Sequence, residues 1–198
     1  MARQARHDRQ EVLEKALALF WAKGYHATSL KDLEAALDMR PGSIYAAFGS
    51  KEALFAEALR LYAQSSKAQF QDMMARGPTP LAALAGHVRS LGCPEARQAP
   101  SRACMLVKTL LETPDDDPGL RAETEDLMRR MEAAFAEVYR DAQRVGQLPA
   151  GADPERLASR LQAEIFGLRA YAQRTDSQAR VAQLAEDIAG DIEALATG

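Results

Sequence analysis

Apolar side chains recur at spacings of three and four along most of this 198-residue chain, and one segment breaks that pattern twice within a few residues. The segment is 39–55, MRPGSIYAAFGSKEALF. Arg40-Pro41-Gly42-Ser43 opens a new helix and Gly49-Ser50 closes it, which leaves room for about two turns. Nowhere does the chain show the period-two alternation of β-branched residues that strands require. The pattern therefore predicts an all-α fold in which one helix is cut short for a reason other than core building.

The rest of the chain divides at equally local signals. A first helix is expected over 8–23, capped by Asp8, with Val12, Ala16, Leu19 and Phe20 on one face and Gly24 as its stop. Thr28 or Ser29 can cap a second helix carrying Leu30, Leu33 and Leu37, and Asp38 falls in a tight connection. Pro41 suits the first position of the short third helix. Ser50 can cap a fourth, over about 51–75.

Beyond RGPTP at 76–80, a short helix runs through Leu81, Leu84 and Val88. A proline-bearing loop at 92–103 precedes the helical CMLVKTLLE, and TPDDDPG at 113–119 is a strong break. Long helices are expected over 120–145, 154–173 and 177–196, with Asp153-Pro154 as a cap and first-position pair. The total is about nine helices.

Charge is distributed unevenly. Net charge is −3, yet residues 1–51 carry eight Lys/Arg against six Asp/Glu, and residues 52–198 carry 17 against 22. A basic first quarter on an acidic body suits an anionic partner for the first quarter alone. Cys93 and Cys104 form no CxxC or Cys/His cluster, so neither a metal nor a cofactor is expected. No apolar h-region follows MARQARHDRQ, and no apolar run nears the roughly 20 residues of a membrane span. A cytoplasmic location with reduced thiols is the expectation. The chain offers no Glu-x-x-His, no Ser/His/Asp arrangement and no phosphate loop, so it is not expected to be an enzyme.

Residues 28–48 outline two short helices joined by a tight turn, the form of a helix-turn-helix whose second helix enters the DNA major groove. The residue types fit. Arg40 can bond guanine O6 and N7 with both arms, and Pro41 can touch a thymine methyl. Gly42 allows close backbone approach, while Ser43 and Tyr45 are hydroxyl donors suited to phosphate. Ala46 and Ala47 are small enough to let the helix sink into a groove. Lys51 can hold phosphate by its charge and its backbone N–H. Arg3, Arg6 and Arg9 form either a solvated tail or a basic arm for the minor groove or phosphate.

Residues 9–55 resemble the N-terminal DNA-binding domain of the TetR family of bacterial transcriptional repressors. LFWAKGYHATSLKDLEAAL and GSIYAAFGSKEALF carry the resemblance, through Gly24-Tyr25, Thr28-Ser29, Gly42-Ser43-Ile44-Tyr45, Phe48 and Ser50-Lys51-Glu52-Ala53-Leu54. Glu34, Asp38 and Ala47 depart from the residues frequent there, and Ala47 removes a phosphate contact. By position, the resemblance implies DNA contacts at Thr28, Ser29 and Lys31, together with Arg40, Pro41, Gly42, Ser43, Tyr45, Ala46 and Lys51. It also implies a homodimer and a small-molecule effector bound in the C-terminal part.

On this basis residues 1–51 form a helix-turn-helix domain, and residues 52–198 a helical domain for effector binding and dimerisation. Effector candidates are His87, Cys104, Met105, Lys108, Met131, Phe135 and Phe166; the plainer reading makes all but Lys108 core residues and Lys108 a solvated lysine. Apolar stripes on the last two helices offer Leu161, Ile165, Leu168, Leu184, Ile188 and Ile192 to a second chain, with Gly167 permitting close approach. The expected function is a repressor that binds a near-palindromic double-stranded operator and is released by an effector. Two alternatives stand beside it. One is a regulator that senses oxidants or electrophiles through Cys104, whose place at a helix start beside Arg102 and Lys108 would activate a thiol. The other is a helical interaction protein or enzyme without DNA function.

Overall fold

The computed structural model describes the backbone of residues 2–93, 99–113, 117–176 and 178–196, with side chains from Arg9 onward except at 178. Among the described residues nine helices occur and no strand. They are α1 (Ala2–Lys23), α2 (Leu30–Leu37), α3 (Pro41–Phe48), α4 (Lys51–Arg76), α5 (Pro80–Gly92), α6 (Met105–Glu112), α7 (Pro118–Arg144), α8 (Pro154–Tyr171) and α9 (Gln178–Glu193).

Local chemistry sets most of these boundaries. Ser29 caps α2 in a reciprocal box: its Oγ accepts the Asp32 N–H at 3.2 Å, and the Asp32 carboxylate accepts the Ser29 N–H at 2.8 Å. Ser50 Oγ accepts from Ala53 N–H at the start of α4, and Thr79 does the same for Ala82 at the start of α5. Asp153 caps α8 through the Arg156 N–H, with Pro154 behind it. One boundary differs from expectation. The first helix starts at Ala2, not at residue 8, because ARQARHD contains neither proline nor glycine to stop it. Asp8 therefore lies inside the helix and is not its cap. The side chains of Arg3, Arg6 and Asp8, and the residues Asp115 and Asp116, lie outside the described set.

Packing divides the chain into two compact units, residues 1–65 with 105–125, and residues 66–104 with 126–198. The 1–51 segment lies wholly inside the first unit.

In the first unit α2 packs on α1 and α3 on α2, around Leu13, Ala16, Phe20, Leu33, Leu37, Ile44, Phe48, Leu54 and Phe55, all buried. Phe20 meets Phe55 edge-on at 5.0 Å, and the Tyr25 ring lies 4.9 Å from Phe55. Each fully buried side chain of this size contributes about 2–3 kcal/mol. Gly24 is required twice over. Its φ of +89° is left-handed, and a Cβ there would stand 2.5 Å from a Glu112 carboxylate oxygen. The residue after that turn, Thr28, is fully buried and donates its hydroxyl to Gly24 O at 2.6 Å.

The second unit surrounds a core of Phe70, Leu84, Val88, Phe135, Tyr139, Leu161, Ile165, Leu168 and Ile192 with smaller residues between them. α5 packs closely along α9. A Cβ on Gly92 would meet the Ala185 methyl at 2.7 Å, so glycine sets that approach. Arg89 fixes the same pair of helices from outside, forking to Glu186 and to Glu193 at 2.7–2.9 Å. Among the described residues no helix is long and apolar enough to cross a membrane.

Candidate nucleic-acid interface

The turn between α2 and α3 is built on one strained residue. Asp38 has φ 52° and ψ 44°, the only left-handed non-glycine backbone among the described residues, and its N–H closes α2 on Glu34 O. Met39 N–H reaches the same carbonyl. Arg40 is then extended (φ −76°, ψ 152°), and its carbonyl accepts from Ser43 at 2.9 Å and Ile44 at 3.1 Å, which starts α3. Gly49 N–H on Tyr45 O ends it at Phe48.

Only two side chains of α3 are buried: Ile44 at 1% and Phe48 at 5% exposure. The remaining surface is free. Arg40, Gly42, Ser43, Tyr45, Ala46 and Ala47 are exposed and Pro41 is half-buried. Arg40 makes no side-chain cap, so its guanidinium is not committed to its own helix. On α2, Ser29 and Lys31 are exposed, with the Ser29 hydroxyl donating to Asp32 at 2.8 Å. Lys23 reaches the same carboxylate at 2.6 Å, and together with the Ser29 donors it holds Asp32 well below the usual carboxylate range.

Lys51 is half-buried, with its Nζ 4.4 Å from the centre of the Tyr25 ring, and burial lowers its pKa. The Tyr25 hydroxyl donates to Glu52 at 2.8 Å. Lys51 thus stands on an aromatic perch at the head of α4.

Thr28 is corrected: it is buried and its hydroxyl is bound to Gly24, so its side chain supports the turn and presents nothing to DNA. Arg9 is not a free arm residue. Its Nη2 reaches both Glu57 carboxylate oxygens at 2.8 Å, and its Cζ lies over the Phe48 ring at 4.6 Å. Spacing alone gave no sign of this, because the partners lie 39 and 48 positions away.

The effector candidates fare unequally. Lys108 is corrected: its Nζ donates to Trp21 O at 2.9 Å and Ala22 O at 3.2 Å, so it closes the end of α1. Met105 and Cys104 are buried at 2% and 3% exposure, whereas Cys93 is exposed. Phe135 is core, and Met131 and Phe166 are half-buried. His87 lies edge-on to Phe70 at 5.0 Å and 6.4 Å from Phe135, with a buried Nδ1 that has no hydrogen-bond partner. Burial, helped by the Arg169 charge, pushes its pKa down to about 4.

The dimer stripes are corrected in part. Leu161, Ile165, Leu168 and Ile192 are buried in their own protomer, and Leu184 and Ile188 pack against that same core. Gly167 alone of the set is exposed, with open space where a Cβ would stand. An apolar stripe marks a buried face, and its own protomer has the first claim on it.

A two-helix unit with a tight left-handed turn and a short, outward-facing second helix defines a helix-turn-helix protein. Comparison with known proteins supplies the family. Residues 12–58 match the model for bacterial regulatory proteins of the tetR family, and residues 80–188 match that for the tetracyclin repressor-like C-terminal domain. The chain is 27% identical to the HTH-type transcriptional repressor ComR of Escherichia coli over 180 residues, 90% of this chain and 85% of that one. A cysteine mutant of the TetR-family regulator CifR, solved with 26-bp operator DNA, superposes with a TM-score of 0.81 at 30% identity, covering 90% and 93% of the two chains. A TetR-family regulator from Cytophaga hutchinsonii shares the fold, with a TM-score of 0.87 at 21% identity over 96% and 95%. The chain belongs to the tetR family and is a transcriptional regulator with a DNA-binding helix-turn-helix.

Proposed function

We propose that this chain is a repressor that grips a near-palindromic operator as a homodimer and lets go when a small molecule binds its 52–198 part. The observation that carries the reading is α3 itself. Two buried anchors hold it, and Arg40, Gly42, Ser43 and Tyr45 stand free beside two alanines. An ordinary solvated helix would carry Lys and Glu there instead. In the dimer, two such helices stand about 34–36 Å apart in successive major grooves. The outer face of α8, where exposed Ala163, Gly167 and Ala170 recur at spacings of four and three, is the surface offered to the second chain. The relatives ComR and KstR2 bear the name repressor, which supports the sign of regulation. An effector needs to shift the DNA-binding equilibrium by only about 1–3 kcal/mol. The chain acts in the cytoplasm and catalyses no reaction in this reading.

Gel shifts on DNA from upstream of the coding region test it. Arg40→Ala relaxes base preference, and Lys51→Ala weakens binding to every sequence and flattens the salt dependence. If both variants bind like the parent protein, α3 is not the reading helix.

A further inference from the structure

The basic residues of the head divide by what they touch. Lys15 pairs with Glu11, Lys23 with Asp32 and Arg60 with Glu123. Arg9 differs from all of these, because it joins three helices at once. It sits on α1, its Nη2 bonds both carboxylate oxygens of Glu57 on α4, and its guanidinium carbon lies over the ring of Phe48, the last residue of α3. Phe48 is one of only two anchors that α3 has. The other, Ile44, lies one turn earlier, so Arg9 touches the anchor at the far end of the helix.

We propose that Arg9 is a positioning residue for sequence reading, which fixes the angle of α3 and does not itself contact phosphate. The inference rests on α3 being the reading helix. Its physical basis is one cation shared between a carboxylate and a ring. Nη2 sits against both oxygens of Glu57 while the guanidinium carbon lies over Phe48, so the ion pair keeps the charge in place above that ring. A short helix held at one end pivots about that end. A pivot moves Arg40 and Tyr45 relative to base edges, where reading tolerates errors of only about half an ångström. Lysine cannot replace arginine here, since a compact ammonium cannot bond the carboxylate and cover the ring at once.

The two possible roles of Arg9 predict opposite signs for one substitution. Glu57→Gln weakens the ion pair and frees the guanidinium. If Arg9 positions α3, preference for operator over scrambled duplex falls by about tenfold, with scrambled binding unchanged or slightly tighter. If Arg9 is a phosphate ligand, its release tightens binding to both duplexes equally and preserves the preference.

The experiment uses the full-length protein, an operator selected by that protein from a random duplex pool, and a scrambled duplex. Fluorescence anisotropy across a salt series is run for the parent protein, Arg9→Lys, Arg9→Ala, Glu57→Gln and the Arg9→Ala/Glu57→Gln pair. Circular dichroism at the assay temperature checks folding. The expected result is loss of preference in all four variants, an unchanged salt slope, and no further loss in the pair. Glu57→Gln changes least in shape and carries the test if Arg9→Ala unfolds. A salt slope about two units shallower in the Arg9→Ala dimer, with equal weakening on both duplexes, overturns the inference, as does full preference in Arg9→Lys. A parent protein that selects no sequence overturns the reading of α3, and the inference falls with it.

Discussion

The ammonium of Lys108 lies within hydrogen-bond reach of two carbonyl oxygens at the end of α1, those of Trp21 and Ala22, at 2.9 and 3.2 Å. α6 therefore supplies the positive charge that the last turn of α1 would otherwise lack beyond Lys23. Lys108→Met keeps the side-chain length and removes both bonds. The expected cost is about 1–2 kcal/mol, read as a lower urea midpoint with an unchanged m-value. A variant as stable as the parent protein would show that these bonds only replace equally good ones to water.

Salt dependence of DNA binding should be modest. Among the described residues 9–60, Lys31, Arg40 and Lys51 are the cations without an ion-pair partner. With about 0.9 units of slope per phosphate neutralised, three such cations per protomer give the dimer a slope of about −5. A measured slope near −10 would mean that paired arginines, or those before Arg9, also reach the backbone.

His87 makes the protein acid-sensitive. Its pKa is about 4 in the folded chain and about 6.5 when unfolded, so between these values the unfolded state binds more protons. Stability thus falls as pH drops from about 6.5 towards 4 and levels off below, by up to about 3 kcal/mol in total. Thermal melts at several pH values check this, with His87→Phe expected to flatten that segment of the curve. An equal acid response in the variant would place the cause elsewhere.

Thiol chemistry should separate the two cysteines. Cys93 is exposed and Cys104 is buried. Titration of native protein with a thiol reagent should label one cysteine rapidly and the second only as the chain unfolds. Rapid labelling of Cys104, read by peptide mass, would strengthen the oxidant-sensing alternative for that residue. Slow labelling shifts any such role to Cys93.

Helix ends were legible in the sequence wherever a single residue decides them. Gly24, Ser29, Ser50 and Asp153-Pro154 act on backbone groups within three or four positions, and they act as read. The inward pair Ile44 and Phe48 was also legible, because spacing of four puts both on one face. One local reading failed: Thr28 is a helix-cap residue type, yet the turn folds it inward to Gly24, four positions back. The other failures depend on a partner far along the chain. Lys108 looks solvated until α6 is laid against the end of α1. The stripe of Leu161, Ile165 and Leu168 is apolar whether its partner is the same protomer or a second one, and periodicity carries no label for which.

Among the described residues 9–60, four of the seven Lys and Arg side chains pair with carboxylates, which also bears on how such a protein finds its target. Attraction to random duplex grows with each uncommitted positive charge. A head that spends Arg9, Lys15, Lys23 and Arg60 on its own framework clings weakly to the genome at large. Under the proposed repressor reading, such a head would pass the intervals between operators mostly off DNA, where an effector would meet it unbound.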